Sequence, residues 1–173
     1  MNFCRRCGTV LTKKSDTEYE CANGHRIYAN ADISVNVFFL TDDDHVMMSV
    51  RGIEPYKGTL DTFGGFIDMG ETAEQALARE IREETGLNTS QYEQPVFLST
   101  GLFPYPFDGE VRDTLPLFFW SRLKPGAVLT AADDVAEVAK IPLFGTSLSI
   151  LEGMKVSEQF LQLRSLIASQ KSL

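Results

Sequence analysis

Apolar and β-branched residues crowd into two runs, 33–40 and 46–51, and the stretch Asp42-Asp43-Asp44-His45 between them is polar throughout. That pattern predicts two strands joined by a short acidic turn, a hairpin. A shorter strand is expected over 61–63, entering a glycine-rich loop. The period then changes, because Ala73, Ala76, Leu77 and Ile81 recur at helical spacing. Thr72 followed three residues later by Gln75 has capping-box form, and Gly86 with Leu87 behind it suits a left-handed C-terminal cap. A helix is therefore expected over roughly 72–85. Strand-like runs return at 95–102, 115–123 and 136–141. Pro142 and Leu143 open a weakly patterned segment. Val156, Phe160, Leu163 and Ile167 then mark an amphipathic C-terminal helix whose apolar stripe is assigned to core packing. No internal repeat or low-complexity tract interrupts this order.

The polar face of the first helix carries the candidate chemistry. Glu80, Glu83 and Glu84 stand at i, i+3 and i+4, so their carboxylates share one side and repel. A hard divalent cation reverses the sign of that interaction, and an oxygen-only donor set favours Mg2+ or Mn2+. Arg79 lies four residues before Glu83 and can orient it, while Glu71, just ahead of the helix, can join the ligands. Gly64, Gly65 and Gly70 let the preceding backbone turn sharply and approach a phosphate. For the carboxylates taken alone, the other reading is a solvated helix face with a Glu/Arg ladder.

The register of the whole run decides between them. From Gly65 to Leu87 the chain fits G-x5-E-x7-R-E-U-x-E-E-x-G-U, with Ile81 and Leu87 in the apolar U positions. This run resembles the Nudix box, the Mg2+-binding loop–helix–loop of hydrolases that cleave a nucleoside diphosphate linked to another group. The resemblance implies an α/β (α+β) sandwich, a mixed sheet between helices, over residues 31–173. Glu83, Glu84 and Arg79 are then candidates for the chemical step, with Glu80, Glu83, Glu84 and Glu71 as the metal ligands. Gly64 and Gly65 would lie against substrate. Glu137 falls where many relatives place an acidic residue entering the last strand, and it is a further candidate base; a plain surface glutamate is the alternative.

Cys4-Arg-Arg-Cys7 and Cys21-Ala-Asn-Gly24-His25 supply three thiols and an imidazole, a tetrahedral set for structural Zn2+. A segment of about 25 residues cannot bury enough core to fold alone, so metal would stabilise it. Residues 1–30 resemble the zinc ribbon preceding the Nudix domain in NADH pyrophosphatases, with His25 in place of the usual fourth cysteine. A degenerate ribbon holding reduced thiols is the alternative. His45 reads as a solvated turn residue.

Pro104-Tyr105-Pro106-Phe107 resembles the centre of the S-Q-P-W-P-F-P motif of NADH pyrophosphatases, with Leu102, Phe103 and Asp108 replacing the flanks. Prolines would stiffen a loop that presents Tyr105 and Phe107 to a purine or nicotinamide ring. The alternative is a turn packed on the core.

Composition narrows the partners. The chain has 173 residues, 43% hydrophobic, and a net charge of −8. Such an acidic protein is poorly suited to tracking a nucleic-acid backbone, so a small nucleotide is the expected partner and RNA-cap chemistry is disfavoured. Neither a long apolar stretch nor a signal-peptide pattern is present, which predicts a cytoplasmic protein without a membrane partner. Relatives with such a ribbon form homodimers, a possible assembly here. The expected activity is hydrolysis of the pyrophosphate bond in a dinucleotide such as NADH, FAD or ADP-ribose. A nucleoside triphosphate pyrophosphohydrolase and a non-catalytic nucleotide-binding regulator are the alternatives.

Overall fold

A computed structural model describes residues 2–107 and 109–172; Asp108, one of the motif's altered flanks, lies outside the described residues. The chain divides into two units, Met1–Asp32 and Ile33–Leu173. In the first, β1 (Leu11–Lys13), β2 (Glu18–Cys21) and β3 (Arg26–Tyr28) form an antiparallel sheet in that order. Its buried centre is Cys4, Leu11, Cys21 and Ile27, with Tyr19 packed alongside. Two of those four residues are cysteines, so little apolar area supports this unit.

The second unit is built on a strand buried on both faces. In β4 (Asp32–Leu40), Val35, Val37 and Phe39 pack with Ala76, Leu77 and Ile81, whereas Phe38 and Leu40 pack with Phe160, Leu163 and Ile167. The first group belongs to α1 (Ala73–Thr85) and the second to α3 (Ser157–Lys171), so the sheet lies between two helices. Alternation that buries both parities explains why 33–40 reads as a nearly continuous apolar run. Each fully buried Phe, Leu or Ile contributes about 1.5–3 kcal/mol.

β5 (His45–Arg51) returns antiparallel to β4 with Leu40 opposite Val46, closing the expected hairpin. The sheet order is β11-β5-β4-β10-β8, with β8 at Val96–Thr100, β10 at Glu110–Arg122 and β11 at Val135–Pro142. α1 carries both halves of the Thr72/Gln75 capping box, and Gly86 caps it at φ 71°. His45 is half-buried rather than solvated, its Nδ1 2.8 Å from the Asp43 carbonyl.

Three elements differ from expectation. The strand expected at 61–63 divides into β6 (Leu60–Asp61), paired with β5, and β7 (Phe63–Phe66), paired with β4. Thr62 sits at the crossing, where its carbonyl accepts from Ser49 Oγ at 2.8 Å. The Pro-aromatic segment is a strand, β9 (Phe103–Phe107), and β10 begins at Glu110 to pair with it. Pro104 and Pro106 share one parity, and a sheet edge tolerates them there because their missing N–H groups have no ladder partner. A short helix, α2 (Leu148–Glu152), has no periodic signature to predict it. Among the described residues, no helix is long and apolar enough to cross a membrane.

Candidate active site and metal centres

Arg79 organises the carboxylates at the mouth of the glycine-rich loop. Its Nε and Nη2 each donate to an oxygen of Glu71 at 2.9 Å. Nη1 donates to Glu80 at 2.7 Å and Glu83 at 3.2 Å, and Nη2 also reaches the Phe66 carbonyl at 3.0 Å. One planar cation therefore ties the loop before α1 to the acidic face of α1. Arg79 draws the Glu71 carboxyl below its ordinary range. Both Glu71 oxygens are engaged by that guanidinium, which places it here as the residue that fixes Arg79.

Glu84 sits deeper. It is buried and accepts the Gly64 N–H at 2.7 Å. Burial pushes its carboxyl up to about 8, helped by the negative charges of Glu80, Asp61 and Asp134. Burial also raises Glu80, against the pull of Arg79. Glu83 is exposed.

The two glycines let the loop pack closely here. Gly64 has φ 144°, and a Cβ there would strike the Val35 carbonyl. A Cβ on Gly65 would strike the Glu80 carboxylate. Backbone contact and a positive φ thus demand glycine at 64, whereas a side chain at 65 would push the Glu80 carboxylate out of its position.

A cleft of about 130 Å³ adjoins these groups. It is lined by acidic Asp61 and Asp134, cationic Arg51 and Lys155, and aromatic Phe66 and Tyr105, with Gly64 and Gly65 in its wall. Tyr105 accepts from Arg51 Nη2 at 3.4 Å and meets Phe66 edge-on at 5.9 Å. Phe107 lies outside this lining, half exposed, with the Arg112 guanidinium 5.1 Å from its ring centre. Glu137 is likewise outside it, exposed on β11 opposite Val50. The acids reaching Glu80 and Glu84 from that side are Asp133 and Asp134.

Asp61, Arg51 and Lys155 carried no signal in the sequence. Asp61 and Arg51 end short strands, and their 3.8 Å approach depends on the β5–β6 pairing. Lys155 reaches the cleft because Met154 bridges to Leu60 and the Lys155 N–H donates to the Leu60 carbonyl at 3.3 Å.

The donor set fits a hard divalent cation. Glu80 and Glu84 are both held above their ordinary range by burial and by acidic neighbours, a cost that a bound cation relieves. Among the described residues these carboxylates do not gather as a preformed ligand set, so metal binding would draw them together.

The four N-terminal side chains do gather. The ligand atoms of Cys4, Cys7, Cys21 and His25 all lie within 4.8 Å of one another, and the cysteines are free. Cys7 and Cys21 sulfurs are 3.7 Å apart, and His25 Nδ1 is 3.3 Å from Cys7 and 3.6 Å from Cys4. Two thiolates on one tetrahedral Zn2+ stand about 3.8 Å apart, and a thiolate and an imidazole nitrogen about 3.6 Å. The spacing matches a tetrahedral edge. A hydrogen bond with the Thr9 hydroxyl, then its backbone N–H, lowers the Cys7 thiol to about 5, the protonation state a metal ligand needs.

Comparison with known families matches residues 31–144 to the NUDIX domain. An ADP-ribose pyrophosphatase of Methanocaldococcus jannaschii is 34% identical over 49% of this chain and 47% of its own length. An NAD-capped RNA hydrolase of Pseudomonas aeruginosa is 26% identical over 78% of this chain and 45% of its own. The chain thus spans about half the length of these curated relatives. A NUDIX hydrolase of Nitrosomonas europaea superposes with a TM-score of 0.70 at 20% identity, covering 95% of this chain and 89% of that one. The NUDIX domain of Shewanella oneidensis NrtR, complexed with ADP ribose, gives a TM-score of 0.61 at 20% identity over 81% and 90%.

Proposed function

This chain belongs to the NUDIX domain family, and on that premise we propose that it is a Mg2+-dependent hydrolase of the pyrophosphate bond in a nucleoside diphosphate derivative. ADP-ribose, NADH and FAD are the candidate substrates. The observation that carries this reading is the single guanidinium of Arg79 holding Glu71, Glu80 and Glu83 beside a loop whose close approach needs glycine at 64.

Glu80, Glu83 and Glu84 would hold the cation, which supplies charge neutralisation for the diphosphate and for the leaving phosphate. The protein's own groups do the rest. Arg79 fixes carboxylate orientation before substrate arrives, so little reorganisation remains for the transition state. Glu84 would hold the cation as the carboxylate, its proton released to solvent. Glu83, exposed and held by the same guanidinium as Glu80, is favoured over Glu137, which stands on β11 opposite Val50, as the group that orients or deprotonates the attacking water. The N-terminal Cys/His set would hold structural Zn2+.

The M. jannaschii relative's name supports ADP-ribose as substrate. The P. aeruginosa relative's name raises NAD-capped RNA, against which the net charge of −8 counts. A panel of ADP-ribose, NADH, FAD, NAD-capped RNA, dATP and dGTP with Mg2+, products resolved by chromatography, tests the proposal. A mononucleotide plus a second phosphorylated product from a diphosphate-bridged substrate is expected. Faster turnover of dATP or dGTP would replace it with triphosphate hydrolysis. Metal-stimulated turnover of none would leave a binding module.

A further inference from the structure

Lys155 is half-buried in the cleft, and its ammonium lies 3.7 Å from the centre of the Tyr56 ring and 4.9 Å from that of Tyr105. Among the described residues it donates no side-chain hydrogen bond and forms no ion pair within 4.0 Å. A compact, strongly hydrated charge has been brought into a cleft and given two aromatic faces but no oxygen acceptor. Burial draws its pKa down, while Asp61 attracts it and Arg51 repels it.

The seat beneath it is built at a cost in backbone conformation. Tyr56 has φ 68°, a left-handed geometry rare for a bulky residue. Its carbonyl is held by both the N–H and the hydroxyl of Thr59, at 3.1 and 2.7 Å. Arg51 Nε fastens the same loop by donating to the Pro55 carbonyl at 2.9 Å. Tyr105 is positioned independently from β9, against Phe66 and Arg51. Two elements distant in sequence thus converge on one ammonium.

The geometry points to Lys155 as a specificity-determining residue whose ammonium takes a phosphate oxygen of the bound diphosphate, with Tyr56 and Tyr105 holding the side chain in place for it. This deepens the hydrolase reading and rests on it. The cleft then offers the substrate two kinds of partner, a cation held by acidic side chains at Gly64–Gly65 and the paired cations Arg51 and Lys155. It also changes what Tyr105 does, because its face is taken by Lys155 before any nucleobase arrives. A diphosphate is the ligand class that uses both kinds of partner at once.

ADP binding in the presence of Mg2+, measured by calorimetry, tests this without turnover. Lys155→Met keeps the aliphatic stem over the rings and should weaken ADP by about tenfold or more, as expected for loss of a charge-assisted hydrogen bond. Lys155→Arg should stay within about threefold of wild type, and thermal melting should report both variants folded. With ADP-ribose as substrate, Lys155→Met should raise KM by about the same factor with kcat changed less. Unchanged ADP affinity in Lys155→Met, or an equal loss in Lys155→Arg, overturns the assignment. If wild type hydrolyses no diphosphate yet the Lys155→Met defect in ADP binding persists, the hydrolase reading falls and the binding role stands.

Discussion

Arg79 grips Glu71 through two parallel N–H···O contacts of 2.9 Å while the same guanidinium reaches Glu80 and Glu83. A lysine has the charge but neither the plane nor the donor count to hold three carboxylates and a carbonyl together. Arg79→Lys should therefore lower kcat by about 10²-fold with a smaller change in KM, because orientation in the transition state is lost rather than ground-state binding. Steady-state kinetics on a folded variant checks it. A loss confined to KM would reassign Arg79 to substrate binding.

Glu83→Gln and Glu84→Gln remove one negative charge each from the proposed cation site. Turnover should fall by about 10²-fold or more in both, the scale of a few kcal/mol of electrostatic stabilisation. Circular dichroism should show the fold retained. Near wild-type rates in both, with metal still required, would move the site elsewhere.

The pH dependence of stability should expose Glu84. Its folded value of about 8 lies above the ordinary 4.5, so between those values the folded chain keeps a proton that the unfolded chain has released. Stability contributed by that proton is fully present below 4.5 and is lost as pH rises through 8. Melting of metal-stripped protein should show Tm falling across this window, and Glu84→Gln should flatten the fall. Added Mg2+ should raise Tm more at pH 8 than at pH 5, because it no longer competes with the proton. Saturation at about 100-fold over the dissociation constant corresponds to roughly 2.7 kcal/mol, or about 5–10 °C for a chain of this size. Equal Mg2+ shifts at both pH values would separate Glu84 from the cation.

What was legible in the sequence was what repeats locally. The α1 boundaries follow from Thr72, Gln75 and Gly86, whose capping roles are complete within a few residues. The β4–β5 hairpin follows from two apolar runs around an acidic turn. The Cys/His cluster follows from ligand type and spacing. Pairing between distant segments was not legible. β9 is recognisable as a strand only once residues 110–114 are seen beside it, since two prolines argue locally for a loop. Asp61, Arg51 and Lys155 come together through β-sheet register, and no short pattern marks any of them. Glu137 was picked out by resemblance, with a surface glutamate as the alternative; it stands exposed on β11, and Asp134, just ahead of that strand, lines the cleft.

Protein purified without added metal should carry about one zinc per chain by elemental analysis, bound by Cys4, Cys7, Cys21 and His25. The unit's apolar centre is four residues, two of them ligands, so chelation should unfold it while leaving melting of residues 33–173 in place. His25→Ala should loosen the ion, and His25→Cys should retain it. Zinc-free protein with freely titrating thiols would mean that the ribbon folds without metal.

Of the three aromatic residues of β9, Phe103 and Tyr105 line the cleft and Phe107 does not. Tyr105 touches Arg51 and Phe66 and seats Lys155, whereas Phe107 is half exposed beneath Arg112. If Tyr105 acts on bound substrate, directly or through Lys155, its removal takes away binding shared by ground and transition states. Tyr105→Ala should then raise KM for ADP-ribose or NADH about tenfold with a smaller effect on kcat. Phe107→Ala should leave KM within about threefold, since a stacking contact worth roughly 1–3 kcal/mol requires a ring that faces the ligand. Comparing the two substrates adds a further discrimination. A larger loss for NADH than for ADP-ribose in Tyr105→Ala would mean that the nicotinamide ring displaces Lys155 and stacks on Tyr105. Equal losses are expected if the diphosphate, common to both substrates, is what the Tyr105–Lys155 pair holds. Should Phe107→Ala prove the more damaging, the substrate would have to extend along β9 beyond the cleft, and Arg112 would be the next residue to test.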